Sequence, residues 1–434
     1  IPPPLTGGGE GEGGEKEKKT MIDITKLFCG ADTTGDPLRY GHKRGHGHGT
    51  PHATEKIEHE VPTSASERSP VVVWSVSRRC NLNCVHCYTD SHNEDYPGEL
   101  TTDEAKTMIK DLSGFKIPAL LLSGGEPLMR KDLFELADYA RGLNMRLTLS
   151  TNGTLIDQKN AKRIKETGFS YVGISFDGIG EINDKFRGME GAFDLALRGV
   201  RNCMEVDQKV GLRLTLTRRN YEDLHNIFDF IEKEGIQRAC FYHLVYAGRG
   251  SEIRKDDLSH EESRHALDII LERTMDFHKR GLKKDILTVD NHADGPYLYM
   301  KLKKTDPKRA EEIYKFMEWN GGGANSSGVA IGNIDFFGNA HADQFWQDYS
   351  FGNVKKRPFS EIWKDTSDPI MKGLKNRIPI LKGRCSNCKW IKLCGGSFRV
   401  RALRVYNDPW MHDPACYLTD EEIGITEDKK AAVR

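Results

Sequence analysis

Three cysteines, Cys80, Cys84 and Cys87, stand as Cys-x3-Cys-x2-Cys directly after the apolar run Val71-Val72-Val73-Trp74. Three thiolates can hold a four-iron cluster and leave the fourth iron open. A cluster ligated by protein at all four irons only passes electrons, whereas an open iron can bind and activate a substrate. On spacing alone, the same cysteines could hold zinc or be a chance grouping. A second group, Cys385, Cys388, Cys394 and Cys416, is spaced Cys-x2-Cys-x5-Cys-x21-Cys. Four cysteines close a tetrahedral zinc site or fully ligate an iron–sulfur cluster, and spacing does not separate the two.

The elements that must position these residues are legible around them. A β-branched run feeding straight into Cys80 puts that loop at the C-terminal end of a strand, where α/β barrels keep their chemistry. Residues 119–123 form a second short apolar run and lead into Gly124-Gly125-Glu126-Pro127. The two glycines let backbone approach a ligand, and the proline stiffens the turn. Residues 147–150 run into Thr151-Asn152-Gly153, and residues 172–176 run into Asp177-Gly178. A fifth and a sixth strand are expected at 213–217 and 241–246, the latter followed by Gly248-Arg249-Gly250. Helical patterns lie between them at 102–112, 133–143, 158–167 and 224–234. This alternation predicts a parallel sheet with crossover helices.

Taken together, these motifs resemble the radical S-adenosylmethionine (SAM) superfamily. The resemblance implies an α/β fold: a partial (β/α)6 TIM-type barrel with a C-terminal SPASM/twitch-like cluster domain. It implies that Cys80, Cys84 and Cys87 ligate a SAM-binding 4Fe–4S cluster and are catalytic. The segment Gly124, Gly125, Glu126 and Pro127 would hold the amino group of SAM's methionine moiety. Arg187, within 183–188, looks like the family arginine that meets the SAM carboxylate. Asn152, Ser175, Asp177, Thr215 and Tyr246 would complete the cofactor site.

The second cysteine group resembles that of SPASM extensions, which favours iron–sulfur over zinc. The full SPASM pattern supplies two auxiliary clusters. Here Asp343 stands where a cysteine would follow the hairpin glycine Gly338, Phe398 replaces another four residues after Cys394, and 321–327 contains none. The four remaining cysteines match the outer auxiliary cluster, so two 4Fe–4S clusters are expected in all.

The chain has 434 residues, room for two or three domains. The expected organisation is a disordered or tag-like stretch at 1–20, an N-terminal extension at 21–70, the barrel at 71–250, a helical linker at 251–320, the auxiliary cluster domain at 321–425 and a tail at 426–434. Met21 is the expected natural start, since the preceding residues are rich in Gly, Glu, Lys and Pro. Lys+Arg and Asp+Glu balance at 64 each, which gives no electrostatic case for nucleic acid or an anionic membrane. No apolar stretch is long enough to span a bilayer, and no secretory pattern is seen. Seven of ten cysteines fall into the two metal-type groups, which fits reduced thiols in the cytoplasm. Of the other three, Cys29, Cys203 and Cys240, the last two read as core. His42, His46, His48, His52 and His59 are interleaved with glycine, which reads as a linker in preference to a metal tract, because glycine-rich chain does not preorganise a site.

The resemblance narrows at 320–328, at 338–346 with 352–354, and from 394–401 through 408–410 to 416–418, together with 21–26 and 38–40. These stretches resemble the tetrapyrrole-modifying branch, and most of all the didecarboxysiroheme deacetylases of the siroheme-dependent haem pathway. That family removes two acetate side chains from an iron tetrapyrrole and leaves methyl groups. The haem d1 biosynthesis enzymes, which remove propionates, are its near relatives. Anaerobic chemistry, SAM and a low-potential electron donor such as ferredoxin or flavodoxin follow from the resemblance. A large anionic ligand needs charge partners, for which Arg249, Arg399, Arg401 and Arg404 are candidates. Phe345, Trp346 and Trp410 could lie against a macrocycle or be core. Asp343 is a catalytic candidate for proton transfer, with a satisfied turn aspartate as the alternative, and the candidate axial iron ligands are His341, His243 or one of the histidines of the Gly-rich segment. Two rivals are a SPASM peptide maturase, which would carry a peptide-binding segment near the N-terminus and the fuller cysteine set, and a non-catalytic iron–sulfur or tetrapyrrole carrier. The carrier does not need the SAM segment at 124–127 or Arg187.

Overall fold

A computed structural model of the chain describes residues 21–31 and 68–425. The His-rich segment, residues 38–40, the first twenty residues and the tail at 426–434 lie outside the described residues. The architecture is built on one sheet of eleven strands in the order β1-β8-β7-β6-β5-β4-β3-β2-β9-β10-β11. The strands are β1 (Ile22–Asp23), β2 (Val71–Ser75), β3 (Leu120–Ser123), β4 (Leu147–Thr151), β5 (Tyr171–Ser175), β6 (Val210–Leu216), β7 (Arg238–His243), β8 (Asp285–Val289), β9 (Ile331–Ile334), β10 (Asn339–His341) and β11 (Gly352–Asn353). From β8 through β2 to β9 every neighbouring pair is parallel. The sheet ends at β1 and β11, so it is an open barrel.

The six expected strands are all present, and the partial barrel is as the sequence implies. Strands β6 and β7 begin three residues earlier than expected, because the apolar pattern extends back to Val210 and Ala239. Residues 251–320 are not a purely helical linker. They carry the long helix His260–Lys279, but also β8, whose five residues are all buried. A short, fully buried apolar run has no periodicity to separate strand from helix. The N-terminal extension contributes β1, antiparallel to β8. Thr25 bridges to the Lys284 carbonyl at 3.0 Å and seals that edge.

At the other edge, β9 joins β2 in parallel, and β10 and β11 extend the sheet antiparallel. The β9–β10 turn is set by Asp335, whose Oδ1 accepts from Phe337 N at 2.9 Å and Asn339 N at 2.8 Å. Gly338 sits there at φ +90°, where a side chain would be strained. The C-terminal domain is thus wired directly into the barrel sheet. Among the described residues, no helix is long and apolar enough to cross a membrane.

Candidate active site

The cysteine loop leaves the C-terminal end of β2 and is clamped on three sides. Gly125 N donates to Ser77 O at 2.8 Å, and Glu126 N donates to Arg79 O at 2.9 Å. A Cβ on Gly125 would fall 2.3 Å from Arg79 O, so only glycine permits this approach. On the second side, Asn83 N donates to Arg187 O and Val85 N to Phe186 O, at 3.2 and 2.9 Å. Gly188, at φ +65°, would place a Cβ 2.4 Å from Asn83 O. On the third side, Arg249 N donates to Cys87 O at 3.0 Å, and its guanidinium grips Cys84 O (2.8 Å), Asp90 Oδ1 (2.7 Å) and Ser91 O (3.2 Å).

Cys80, Cys84 and Cys87 face one cavity at the strand ends, together with Gly124, Gly125, Asn152, Ser175, Arg187 and Thr215. Donors are aimed at all three sulfurs. Leu82 N (3.4 Å) and Asn152 Nδ2 (3.8 Å) reach Cys80 Sγ, Arg187 Nη1 reaches Cys84 Sγ at 3.7 Å, and Ser91 N reaches Cys87 Sγ at 3.4 Å. Burial pushes the Cys80 thiol up to about 12, with Glu126 adding to it, and burial also raises Cys84 against the pull of Arg187. Thiolates here therefore need a positive partner, as iron provides. Three thiols on one wall with N–H donors aimed at sulfur fit a cluster held by three cysteines.

Glu126, Pro127, Asp177 and Tyr246 do not line the cavity. Glu126 is fully buried and accepts from Thr151 Oγ1 (2.7 Å), Asn152 N (2.8 Å) and Leu128 N (3.1 Å), tying the end of β3 to the end of β4. Through these contacts it braces the turn that carries Gly124 and Gly125. Asp177 ion-pairs with Arg187 at 2.5 Å and with His86 at 3.3 Å, and accepts from Thr215 N at 2.9 Å, so it positions Arg187. Tyr246 donates to Asp257 at 2.6 Å.

The four C-terminal cysteines also gather. Burial raises Cys394 well above its ordinary value, and the proximity of Cys416, Cys385 and Cys388 pushes it further. Trp390 N donates to Cys388 Sγ at 3.4 Å. The glycine run at 321–323 lies on this loop, and a Cβ on Gly322 would fall 2.2 Å from Leu393 O. Close packing explains why that stretch carries no ligand side chain. Arg377 and Arg399 are buried beside the group. Arg377 Nε and Nη1, and Arg399 Nε and Nη2, lack partners, so buried donors are spare for an anionic centre. Among the described residues, no three His, Cys, Asp or Glu side chains converge where a single metal ion would sit. All ten cysteines are free thiols.

The expected substrate residues fare differently. Arg249 is spent on the cysteine loop, as above. Arg399 donates to the carbonyls of Pro409 (3.0 Å) and Met411 (2.5 Å). Arg401 pairs with Asp413 at 2.7 Å and donates to Leu244 O (3.1 Å) and Asp290 O (2.5 Å). Arg404 pairs with Asp348. His341 has both nitrogens engaged, by Tyr349 O (2.8 Å) and Asp335 (3.3 Å), which leaves none for iron. Trp346 is core, packed with Val245, Leu374 and Phe398, and Trp410 packs on Gly373. The contacts of Arg249, Arg401, His341 and Trp346 are made with backbone and core brought from distant segments, whereas Arg399 keeps Nε and Nη2 without a partner.

Phe345 and His243 do line the cavity. Phe345 makes edge contacts with Tyr88 and Phe398, at 5.3 and 5.5 Å. His243 Nε2 is paired with Asp294 at 3.1 Å. Burial alone would lower His243, but the Asp294 carboxylate overrides it and raises the imidazole. Asp343 is buried behind the cavity wall formed by Gln344 and Phe345. Its Oδ1 accepts from Phe345 N at 2.8 Å, and its Oδ2 has no hydrogen-bond partner. Burial pushes its carboxyl up to about 6. The Ser327 hydroxyl lies near enough to oppose that, though neither its Oγ nor Asp343 Oδ2 makes a hydrogen bond in ordinary geometry.

The sequence reading missed His86, Tyr88, Arg213, Tyr242, Asp290 and Gln344, which all line the cavity. His86 and Tyr88 flank Cys87 and were findable by position. Arg213 and Tyr242 come from strand interiors and Asp290 from a loop without a motif, while Gln344 lies within the 338–346 stretch.

The Radical SAM superfamily family model matches residues 74–231. A protein named Fe-coproporphyrin III synthase, from Methanosarcina barkeri (strain Fusaro / DSM 804), is 55% identical over 410 residues, covering 94% of this chain and 100% of that protein. One named pre-heme d1 synthase, from Dinoroseobacter shibae, is 45% identical over 381 residues, covering 87% of this chain and 94% of that protein. Among solved structures, Streptococcus suis SuiB bound to S-adenosylmethionine superposes with a TM-score of 0.64 at 17% identity, over 81% of this chain and 78% of that one. Native anSMEcpe with bound AdoMet gives 0.64 at 19% identity, over 84% of this chain and 99% of that one. At those identities the two structures speak to the fold alone.

Proposed function

The chain belongs to the radical SAM superfamily, and on that premise we propose that it removes two acetate side chains from didecarboxysiroheme, leaving methyl groups, to give Fe-coproporphyrin III in siroheme-dependent haem biosynthesis. The observation that carries this reading is the 55% identity that runs the full length of a Fe-coproporphyrin III synthase. It exceeds the 45% shared with a pre-heme d1 synthase and includes the stretches around Asp343 and the second cysteine group, which lie beyond the matched family segment.

When bound, a reduced 4Fe–4S cluster with SAM supplies a 5′-deoxyadenosyl radical, which removes a hydrogen atom from an unactivated position. The chain's own residues do the rest. Cys80, Cys84 and Cys87 hold the cluster. Gly124 and Gly125 offer backbone to the methionine moiety, and Arg187, braced by Asp177, takes its carboxylate. Phe345 and Tyr88 form an aromatic wall beside the cysteine loop, suited to a flat macrocycle. Asp343, whose carboxyl burial pushes up to about 6, is the proton-transfer group behind that wall. Cys385, Cys388, Cys394 and Cys416 would hold a second, auxiliary cluster, which would supply a site for electron transfer. Four gathered thiols and the spare donors of Arg377 and Arg399 support that assignment. The electron donor is a low-potential carrier of the ferredoxin or flavodoxin type. The compartment is the cytoplasm, in keeping with ten free thiols.

Stimulation of SAM cleavage tests the reading. Anaerobically reconstituted protein with a strong reductant should release 5′-deoxyadenosine when didecarboxysiroheme is added, one molecule for each acetate lost. SAM cleavage indifferent to that tetrapyrrole would overturn it.

A further inference from the structure

Asp290 carries no motif, yet the fold gives it a demanding position. It follows directly on β8, at the end of the barrel where the cysteine loop and Arg187 lie. Its backbone is left-handed, at φ +68°, a region that Asp and Asn enter more readily than other non-glycine residues. Here Arg401, itself anchored on Asp413, reaches across from the C-terminal domain and donates to the Asp290 carbonyl.

Asp290 lines the cavity beside Tyr242, His243, Gln344 and Phe345. It is only 8% exposed, and its Oδ2 is buried with no hydrogen-bond partner. A buried carboxylate without donors is costly. The carboxyl responds by holding its proton: burial raises it to about 7, Arg401 opposes that and Asp343 adds to it. His243 and Arg213 are the other charged groups that face it, and both favour ionisation.

We infer that Asp290 is a substrate-recognition residue, presenting its carboxyl proton to a side-chain carboxylate of the bound tetrapyrrole. The inference rests on the tetrapyrrole reading above. A neutral acid facing a carboxylate makes a short O–H···O⁻ bond, among the stronger hydrogen bonds in proteins. The same group ionised would repel the ligand. Affinity should therefore be high while Asp290 is protonated and fall as pH rises through about 7.

The test is a binding titration on the full chain without SAM, following the macrocycle absorption of didecarboxysiroheme at pH 6 and pH 8. Wild type should lose roughly tenfold in affinity between the two, the loss expected one unit beyond the midpoint of the group. His243 lines the same cavity and is itself a titratable group, so Asp290→Asn isolates Asp290. The amide keeps a donor and tolerates the left-handed backbone, and it should bind with nearly equal affinity at both pH values. Asp290→Ala should bind weakly at both. If Asp290→Ala does not fold, as thermal unfolding would show, the Asn variant decides alone. An Asn variant that retains the wild-type pH dependence overturns the role given to Asp290. Failure of wild type to bind the macrocycle at either pH overturns the tetrapyrrole reading itself.

Discussion

At the scale of single residues, the site separates groups that face the cavity from groups that hold those in place. Arg249 is the plainest case. A free arginine in a Gly-Arg-Gly segment looks suited to an anionic ligand, but its donors bind Cys84 O, Asp90 and Ser91 O. A lysine cannot reproduce that fork. Arg249→Lys is therefore expected to lower the iron and sulfide retained after reconstitution and to leave tetrapyrrole affinity nearly unchanged. Iron analysis beside a binding titration checks both halves; full iron content with weakened binding would return Arg249 to the substrate. Asp177 belongs to the same class, since its carboxylate braces Arg187 and His86. The types and spacing of the cysteines, and of Gly124 to Pro127, were legible in the sequence because the chemistry lies in a contiguous segment. The fates of Arg399, Arg401 and His341 were not. They depend on carbonyls and carboxylates such as Leu244 O, Asp290 O and Asp335, whose approach only the fold decides.

At the scale of elements, each functional loop leaves the C-terminal end of a parallel strand, and glycines let the loops cross at backbone distance. Gly125 is the tightest crossing of the cysteine loop, where an added methyl group would fall 2.3 Å from Arg79 O. Gly125→Ala should force the loop off the end of β3, at a cost of about 1–3 kcal/mol for overpacking. A lowered thermal midpoint together with loss of SAM-dependent iron–sulfur absorption is expected, while an unaltered midpoint would show that the loop can yield. Strands β2 to β5 were readable because aliphatic runs end in glycine or polar residues. Strand β8 was not, since its Asp285–Val289 run sits between long helical patterns and is buried throughout. Missing it also hid Asp290, the residue that this strand delivers to the cavity.

At the scale of the whole molecule, the barrel and the C-terminal region share one sheet through the β2–β9 pairing, and Arg401 joins them again at the mouth. The sequence showed both cysteine groups but not this continuity, because β9 is four residues long and pairs with a strand more than 250 positions earlier. The two groups should be separable in function. Cys84→Ala is expected to abolish SAM cleavage. Cys388→Ala should keep SAM cleavage uncoupled from product. Parallel assays of 5′-deoxyadenosine and tetrapyrrole distinguish them, and a normal product yield from Cys388→Ala would remove the auxiliary group from the reaction. The central claim, that this scaffold strips acetates from an iron tetrapyrrole, is tested most directly by the mass of the macrocycle. The reduced, reconstituted protein with SAM should convert didecarboxysiroheme to a species with both acetates lost and the propionates intact. Loss of propionates instead, or SAM turnover over an unchanged macrocycle, would contradict it.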